Sequence, residues 1–215
     1  MSTRKGLIRF DTETSNPGTR TLAIIRHGRT KMNAEDVIRG WYDIPLDKVG
    51  IQQAQDLGEE MRKEGIELDG LISSDLQRTV QTAFEVSKET GIPLIGVDKF
   101  ARPWNVGDYT GKPGKEAHKV MSRYAREMPD EKLPNGESFN EFKYRFISGT
   151  IAALNKSRGL KIGVVSHSRG ERILNSWVAA GCSENMDVDL DVFLSIGEEP
   201  GTCQLLEVTC SLVLS

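Results

Sequence analysis

Two short apolar runs, each followed closely by a histidine, constrain the fold of this chain more than any other feature. Residues 22–25 lead through Arg26 into His27, and residues 162–165 lead through a serine into His167. Runs of this length and composition are typical of strands that are buried on both faces of a parallel sheet. Ligands of open α/β sheets bind at the carboxyl ends of the strands. We therefore expect both histidines to lie in one ligand-binding pocket at the sheet edge.

Strand and helix patterns alternate along the chain, and this alternation predicts the fold class. Further strands are predicted at residues 70–73, 92–97 and 204–213. Helices are predicted after a cap at Asp47, after a capping box of Ser74 and Gln77, from about Phe139 to Gly159, and after His167. The alternation favours a mainly parallel open sheet with helices on both faces, a three-layer α/β/α sandwich. No linker-like composition divides the sequence, so we expect one domain over residues 1–215.

Two segments stand apart from this alternation. Residues 1–20 form an N-terminal extension, in which the Asn-Pro-Gly sequence at residues 16–18 predicts the turn of a hairpin that adds an edge strand to the sheet. Residues 112–135 are rich in proline, lysine and glutamate, and we expect them to form an insertion that covers the strand ends as a lid. His118 lies within this insertion, and we expect it on a solvated face.

Composition excludes several classes of protein. The net charge of −3 argues against a nucleic-acid-binding protein, which usually presents a basic face. No apolar stretch approaches the length of a membrane span, and the first twenty residues lack the apolar segment of a signal peptide. The three cysteines form no CxxC pair, which favours reduced thiols over a disulfide framework or a zinc site. We expect a cytoplasmic protein without a nucleic-acid or membrane partner.

The residue types around the two histidines indicate phosphate chemistry. A neutral imidazole can attack phosphorus and form a phosphohistidine, which divides a difficult hydrolysis into two easier steps. The transferring group carries charge on three oxygens, and arginine binds such a group bidentately. Arg26 flanks His27, and Arg78 follows another predicted strand at the start of a helix whose backbone N–H groups can add to an anion site. Neighbouring arginines should lower the pKa of His27 and keep it neutral near pH 7.

Five blocks in order resemble the histidine phosphatase superfamily, also called the phosphoglycerate-mutase-like superfamily. They are Arg26-His27-Gly28, residues 40–46 with Gly50, Gln53 and Ala54, residues 73–83, residues 136–139, and residues 165–167. The resemblance extends over nearly the whole chain and implies that His27 is the phosphorylated nucleophile. It implies that His167 is a second, charged histidine on the phosphoryl oxygens, and that Arg26 and Arg78 complete the pocket. Its further implications are no metal or organic cofactor, and substrate contacts at the rim from Asn33, Arg39, Gly40 and Ser168.

One position departs from the family pattern. Members that act on phosphate esters of alcohols usually carry a glutamate four residues before the glycine matched here by Gly107, and this chain has Pro103 there. Proline donates no proton, and an alkoxide leaving group needs one, whereas an imidazole, acyl or phosphate leaving group needs less help. Two hypotheses follow. Another carboxylate acts as the acid, with Asp108 the first candidate and Glu137 the second, or the substrate is an activated phosphate such as a phosphohistidine or an anhydride.

Three functions remain open from the sequence. The first is a metal-independent phosphatase that acts through His27 on a small-molecule or phosphoprotein substrate. The second is a mutase-type phosphotransferase, which the missing glutamate disfavours. The third is a non-catalytic phosphate-binding regulatory module that lacks the acid. Arg169 and Arg172 follow His167 on the predicted helix, where they reach either the substrate or the solvent.

Overall fold

A sheet of six strands forms the centre of the computed structural model, which describes residues 7–8, 19–157, 161–195 and 200–209. The strands are β1 (Leu7–Ile8), β2 (Thr19–Arg26), β3 (Gly70–Ser73), β4 (Leu94–Val97), β5 (Ile162–Ser166) and β6 (Cys203–Thr209). Their order across the sheet is β1-β6-β2-β5-β3-β4. All neighbours run parallel except β2 and β6, which are antiparallel. The prediction of a mainly parallel open sheet is therefore confirmed.

Helices cover both faces of this sheet. Within the described ranges the α-helices are α1 (Lys31–Ala34), α2 (Lys48–Lys63), α3 (Gln77–Thr90), α4 (Gly114–Glu127), α5 (Phe139–Lys156), α6 (Ser168–Ala179) and α7 (Leu190–Ser195). Short 3-10 turns lie at Lys99–Ala101 and Gly107–Tyr109. Helices α2 and α3 pack together on one face, and α4 to α7 contribute to the core on the other, so the arrangement has three layers. None of these described helices is long and apolar enough to cross a membrane.

The apolar run that precedes His27 is buried on both sides. Alternate side chains of β2 point to opposite faces, so Leu22 and Ile24 belong to one hydrophobic cluster, while Ala23 and Ile25 belong to the other. All four are at most 1% exposed. A central parallel strand needs apolar residues on both faces, and this explains why the sequence shows a continuous run rather than an alternation.

Close backbone packing fixes the loop that carries His27. A Cβ atom on Gly28 would collide with the carbonyl oxygen of Gly50 in the first turn of α2, so this approach requires glycine. The Arg29 N–H donates to Gln53 Oε1 at 2.8 Å, and the Asp47 N–H donates to the Arg29 carbonyl at 3.0 Å. Asp47 also caps α2, as predicted, because its carboxylate accepts from the Gly50 N–H. The loop after β2 is thus tied to the start of α2.

The expected capping box at Ser74 is wrong. Helix α3 begins at Gln77, and its N-terminal N–H donates to Asp43 Oδ1 at 2.7 Å, while the Gln77 side chain donates to Asp43 Oδ2. Ser74 Oγ does not accept from the Gln77 N–H; within this turn it accepts from the Leu76 N–H, at 3.4 Å. A carboxylate from a distant loop therefore replaces the local hydroxyl. This contact also brings the loop around Asp43 to the helix that carries Arg78.

The chain ends differ in part from the expectations. The turn predicted at residues 16–18 lies outside the described residues, as do the end expected for α5 near Gly159 and residues 210–213 of the last predicted strand. Strand β1 pairs in parallel with β6, which separates it from β2, so these two strands do not pair as a hairpin. The extension nevertheless supplies an edge strand, as expected, because β1 lies at one edge of the sheet.

The segment at residues 112–135 contains a packed helix. Ala117, Met121 and Ala125 of α4 are buried in the larger hydrophobic cluster, and Pro113 forms a bridge with Val37. The segment therefore shares the core of the rest of the fold. Its action as a lid, and the division of the chain into one domain, stay predictions.

Candidate active site

Strand pairing brings the two predicted site histidines together. Strands β2 and β5 are parallel neighbours in which Arg26 pairs with Ser166, so the next residue of each strand is His27 and His167. The His27 N–H donates to the Ser166 carbonyl at 3.0 Å. The imidazole centroids lie 5.1 Å apart with the rings inclined by 63°, and the residues are 1% and 3% exposed.

One hydrogen bond fixes the tautomer of His27. Its Nδ1 lies 2.7 Å from the Gly28 carbonyl oxygen, and because a carbonyl only accepts, Nδ1 carries the proton and donates. In the neutral ring Nε2 then holds the lone pair, and it has no hydrogen bond to the described part of the chain. His27 lines the pocket, so this arrangement suits a nucleophilic nitrogen.

Both ring nitrogens of His167 are engaged. Arg78 Nε donates to His167 Nδ1 at 3.3 Å, which makes Nδ1 an acceptor because guanidinium groups only donate. The opposite nitrogen, Nε2, then carries the proton and donates to Ser74 Oγ at 3.2 Å. This asymmetry between the rings favours His27 as the nucleophile and His167 as its partner.

Arg78 is held in a fixed position beneath the pocket. It is 1% exposed, and it also donates to the Tyr42 carbonyl at 2.8 Å and to the Gly40 carbonyl at 3.0 Å. Burial, and then the charge of Arg39, lower the pKa of Arg78 to about 9, which leaves it charged near pH 7. A guanidinium has five N–H donors, so two remain after these contacts and the contact to His167.

The cavity around these residues is strongly cationic. Its volume is about 390 Å³. All three histidines of the chain line it together with six arginines, namely Arg26, Arg29, Arg39, Arg78, Arg169 and Arg172. Asp36 is the one carboxylate among the described lining residues. Burial, and then the charge of Arg26, lower the pKa of Arg39 to about 10. Such a set of cations matches an anionic ligand.

The surroundings lower the pKa of both central histidines. Burial is the largest cause, followed by the charge of Arg78, and Arg39 and Arg26 add to the effect. The direction agrees with the expectation that His27 is neutral near pH 7. For His167 the resemblance implies a charged ring, whereas these surroundings favour the neutral one. A phosphoryl dianion between the rings would raise both pKa values.

These shifts predict that the folded protein loses stability as the pH falls below about 6.5. Unfolded histidine has an ordinary pKa of 6.5, so below that pH the unfolded chain binds protons that the folded His27 and His167 do not. The free energy of unfolding should be fully developed above pH 6.5 and decrease as the pH falls toward the lowered pKa. We expect melting temperatures in phosphate-free buffers to show this slope between pH 7 and pH 5. A His27→Asn, His167→Asn double variant should flatten it, and an unchanged slope would contradict the prediction.

Neither Asp108 nor Glu137, the two carboxylates proposed as the general acid, is among the described residues that line the pocket. Asp108 is exposed on its 3-10 turn and accepts from the Asn135 side chain at 2.9 Å. Glu137 is paired with Arg145 through both oxygens, at 2.8 and 2.9 Å, and also accepts from the Asn105 N–H. Proximity in sequence to the family glycine did not reveal where these side chains point. Pro103 itself lines the cavity.

The residues expected at the rim all line the cavity: Asn33, Arg39, Gly40 and Ser168. Thr30 caps α1, and Asn33 completes the capping box because its Oδ1 accepts from the Thr30 N–H and hydroxyl. Helix α6 begins at Ser168 and directs its positive end to the pocket. The start of α3 was also expected to donate backbone N–H groups to the anion site. The Gln77 N–H is not available for this, because it donates to Asp43 Oδ1.

Sequence reasoning missed several lining residues, among them Arg29, Asp36, His118 and Pro200. His118 is exposed as a residue, as expected, but it also lines the pocket, where partial burial and then the charges of Arg169 and Arg172 lower its pKa to about 4. The bridge between Val37 and Pro113 brings α4 to the loop that contains Asp36. No local pattern in the sequence indicates that bridge. Arg169 and Arg172, left open between substrate and solvent, line the cavity.

A mainly parallel sheet with two histidines and several arginines at its strand ends defines an α/β protein with a cationic pocket. Comparison with known families places it more closely. The model of the histidine phosphatase superfamily (branch 1) matches residues 22–190, and the chain belongs to this superfamily.

Relatives and solved structures agree with this assignment. The chain is 31% identical over 164 residues to the phosphoglycerate mutase-like protein 4 of Arabidopsis thaliana, which covers 74% of this chain and 70% of the relative. The structure of Bacillus stearothermophilus YhfR is similar with a TM-score of 0.70 at 26% identity, over 86% of this chain and 90% of the other. A mycobacterial glucosyl-3-phosphoglycerate phosphatase shares the fold, with a TM-score of 0.66 at 23% identity over 86% and 92% of the two chains.

Proposed function

We propose that this protein is a metal-independent phosphatase that forms a phosphohistidine on His27. The observation that carries the proposal is the hydrogen bond from His27 Nδ1 to the Gly28 carbonyl, which leaves the Nε2 lone pair in a pocket lined by six arginines. A neutral, oriented imidazole surrounded by fixed cations is the combination that nucleophilic attack on a phosphoryl group requires.

The first step forms a bond from His27 Nε2 to phosphorus and breaks the bond from phosphorus to the leaving group, which departs with the electron pair. The ring becomes cationic while its Nδ1 proton stays hydrogen-bonded to Gly28, so the carbonyl dipole stabilises the charge. Arg26 and the two free donors of Arg78 neutralise the phosphoryl oxygens. In the second step water attacks phosphorus, the P–N bond breaks, and orthophosphate leaves with His27 neutral again.

The proposed substrate is an activated phosphate, such as a phosphoramidate, an acyl phosphate or an anhydride. Pro103 occupies the pocket wall where a proton donor is expected, and Asp108 and Glu137 bind elsewhere. His118 has a pKa of about 4 and is deprotonated near pH 7, so it is a poor acid. Leaving groups of low basicity depart without a strong proton donor. Asp36, the one carboxylate among the described lining residues, is the alternative proton donor for less activated esters.

Rapid-quench labelling tests the proposal. Radiolabelled phosphoramidate and acetyl phosphate should label the protein within one turnover, and the label should be stable to alkali and labile to acid, as for a phosphohistidine. The label should then leave as orthophosphate with water as the acceptor. An unlabelled protein that turns over these donors would contradict the covalent route.

The same experiment separates the second candidate, a mutase-type transferase, which the Arabidopsis relative named as phosphoglycerate mutase-like favours. A transferase would retain the label in water and release it to an added hydroxy acid or alcohol. Tight binding of orthophosphate with neither label nor turnover would instead favour a non-catalytic phosphate-binding module, the reading that the absent glutamate keeps open.

A further inference from the structure

The pocket contains more cations than one phosphoryl group requires. Arg26 and Arg78 lie beside the two central histidines, and Arg39 is near them. Arg169 and Arg172 belong to α6, and His118 faces them from α4, as its electrostatic contacts show. We call these three residues the α4–α6 cluster. It forms a second group of donors in the same cavity.

Arg169 is the central residue of this cluster. It makes its described hydrogen bond to the sulfur of Met121 at 2.9 Å, and a thioether is a weak acceptor. No carboxylate of the described chain forms an ion pair with it, and the charges that act on it most are Arg172, Arg39 and Arg26. Arg169 is half-buried, and a guanidinium whose strongest neighbouring charges are cations is stabilised when an anion binds beside it.

His118, a residue of α4 that lines the same cavity, completes the cluster. It is close enough to Arg169, Arg172 and Arg39 to feel their charge, and Asp36 acts on it with the opposite sign. A neutral imidazole offers one N–H donor and requires no counterion. The cluster therefore presents the guanidinium group of Arg169 and a neutral donor beside the further positive charge of Arg172, a set that suits a carboxylate or a phosphate.

We propose that Arg169, Arg172 and His118 form a second anion subsite, so that the substrate is a phosphorylated compound with a further anionic group at its other end. The inference rests on the proposed function, which assigns the reacting phosphate to His27. The second group binds at the α4–α6 cluster, neutralises Arg169 and holds the leaving group of the reacting phosphate in place. A cavity of about 390 Å³ falls in the range that holds small organic ligands rather than orthophosphate alone.

Calorimetric titration with three matched series of compounds tests this subsite. The series are alkyl phosphates, ω-carboxyalkyl phosphates and alkane bisphosphates of increasing chain length. At the best length, a second anion should tighten binding about tenfold or more, the gain expected from one charge-assisted hydrogen bond. Comparison of the carboxylate and bisphosphate series identifies which anion the subsite prefers. No gain at any length in either series would overturn the proposal.

Variants locate the gain. Arg169→Gln should remove most of the affinity that the second anion adds. The ratio of the dissociation constant of the alkyl phosphate to that of the compound with a second anionic group should therefore fall toward one. Arg123→Gln is the matched control, because Arg123 is an exposed arginine of α4 that pairs with Glu127, and it should keep the full ratio. If Arg169→Gln lost affinity equally for the alkyl phosphate and for the compound with a second anionic group, the assignment would be overturned.

A second variant keeps the test valid if Arg169→Gln fails to fold. His118→Glu places a carboxylate on an exposed helical position beside Arg169, where it should occupy the subsite, abolish the gain and raise the melting temperature. An undiminished gain in this variant would contradict the proposal. The binding readout is independent of turnover. If the second anion tightened binding but no phosphoenzyme formed, the subsite would stand and the proposed phosphatase activity would be rejected. If the phosphoenzyme formed but the second anion did not tighten binding, the phosphatase activity would stand and the subsite would be rejected.

Discussion

Replacement of His27 by asparagine is expected to abolish the phosphoenzyme and to lower kcat for acyl phosphates by roughly 10⁴-fold or more, since the covalent route is lost. Asparagine retains an N–H that can donate to the Gly28 carbonyl, as Nδ1 of His27 does, so the loop should keep its conformation. Rapid-quench labelling and steady-state hydrolysis at pH 7 measure the two effects. Folding of the variant is checked by the rise in melting temperature on addition of orthophosphate.

His167→Asn is the comparison that identifies the nucleophile. In the wild type, the ring nitrogens of His167 are hydrogen-bonded to Arg78 and Ser74, so we expect His167 to assist the transfer rather than to accept the phosphoryl group. This variant should be labelled more slowly than the wild type, still on His27. If His27→Asn is labelled and His167→Asn is not, the roles are reversed and the tautomer argument fails.

The central part of the site could be predicted because parallel strands align their carboxyl ends. The apolar runs located β2 and β5, and their pairing in register then brings His27 and His167 within contact distance without further information. Arg78 follows for the same reason, because β3 pairs with the other edge of β5 and places Ser74 beside His167. These positions depend on local periodicity and on the regularity of the sheet, both of which a single sequence carries.

The remainder depends on contacts between loops that lie far apart in the sequence. Asp43, rather than the neighbouring Ser74, caps α3 across 34 residues. Glu137 resembles a free acid in the sequence, but Arg145 captures it, and the same guanidinium donates to the carbonyls of Phe100 and Pro103. The pair thus stabilises the backbone that presents the pocket wall. His118 faces Arg169 because α4 packs on the core, and amphipathicity alone does not show which pocket an exposed residue borders.

A carboxylate restored at position 103 should convert the protein into a better hydrolase of alkyl phosphates. Pro103 is buried and lines the cavity, and its carbonyl is fixed by hydrogen bonds from Trp41 Nε1 and Arg145, which a glutamate at this position retains. A positioned general acid contributes roughly 10²- to 10⁴-fold, so Pro103→Glu should raise kcat/KM for alkyl phosphates by about 10²-fold. Activated phosphates need little protonation, and their rates should change much less.

Pro103→Gln is the matched control, since it has the same shape but no acidic proton, and it should give no gain on alkyl phosphates. The gain in Pro103→Glu should also decrease as the pH rises through the pKa of the new carboxyl, because only the protonated form donates. Equal rates for the glutamate and glutamine variants would contradict the view that a missing proton donor limits the reaction. Efficient hydrolysis of alkyl phosphates by the wild type would also contradict this view. If that activity were then lost in Asp36→Asn, the general acid would be Asp36, the one carboxylate that lines the described pocket. The comparison thus decides between two cases. Either the protein lacks a general acid and acts on activated phosphates, or another residue of the pocket wall acts as the acid in place of the glutamate.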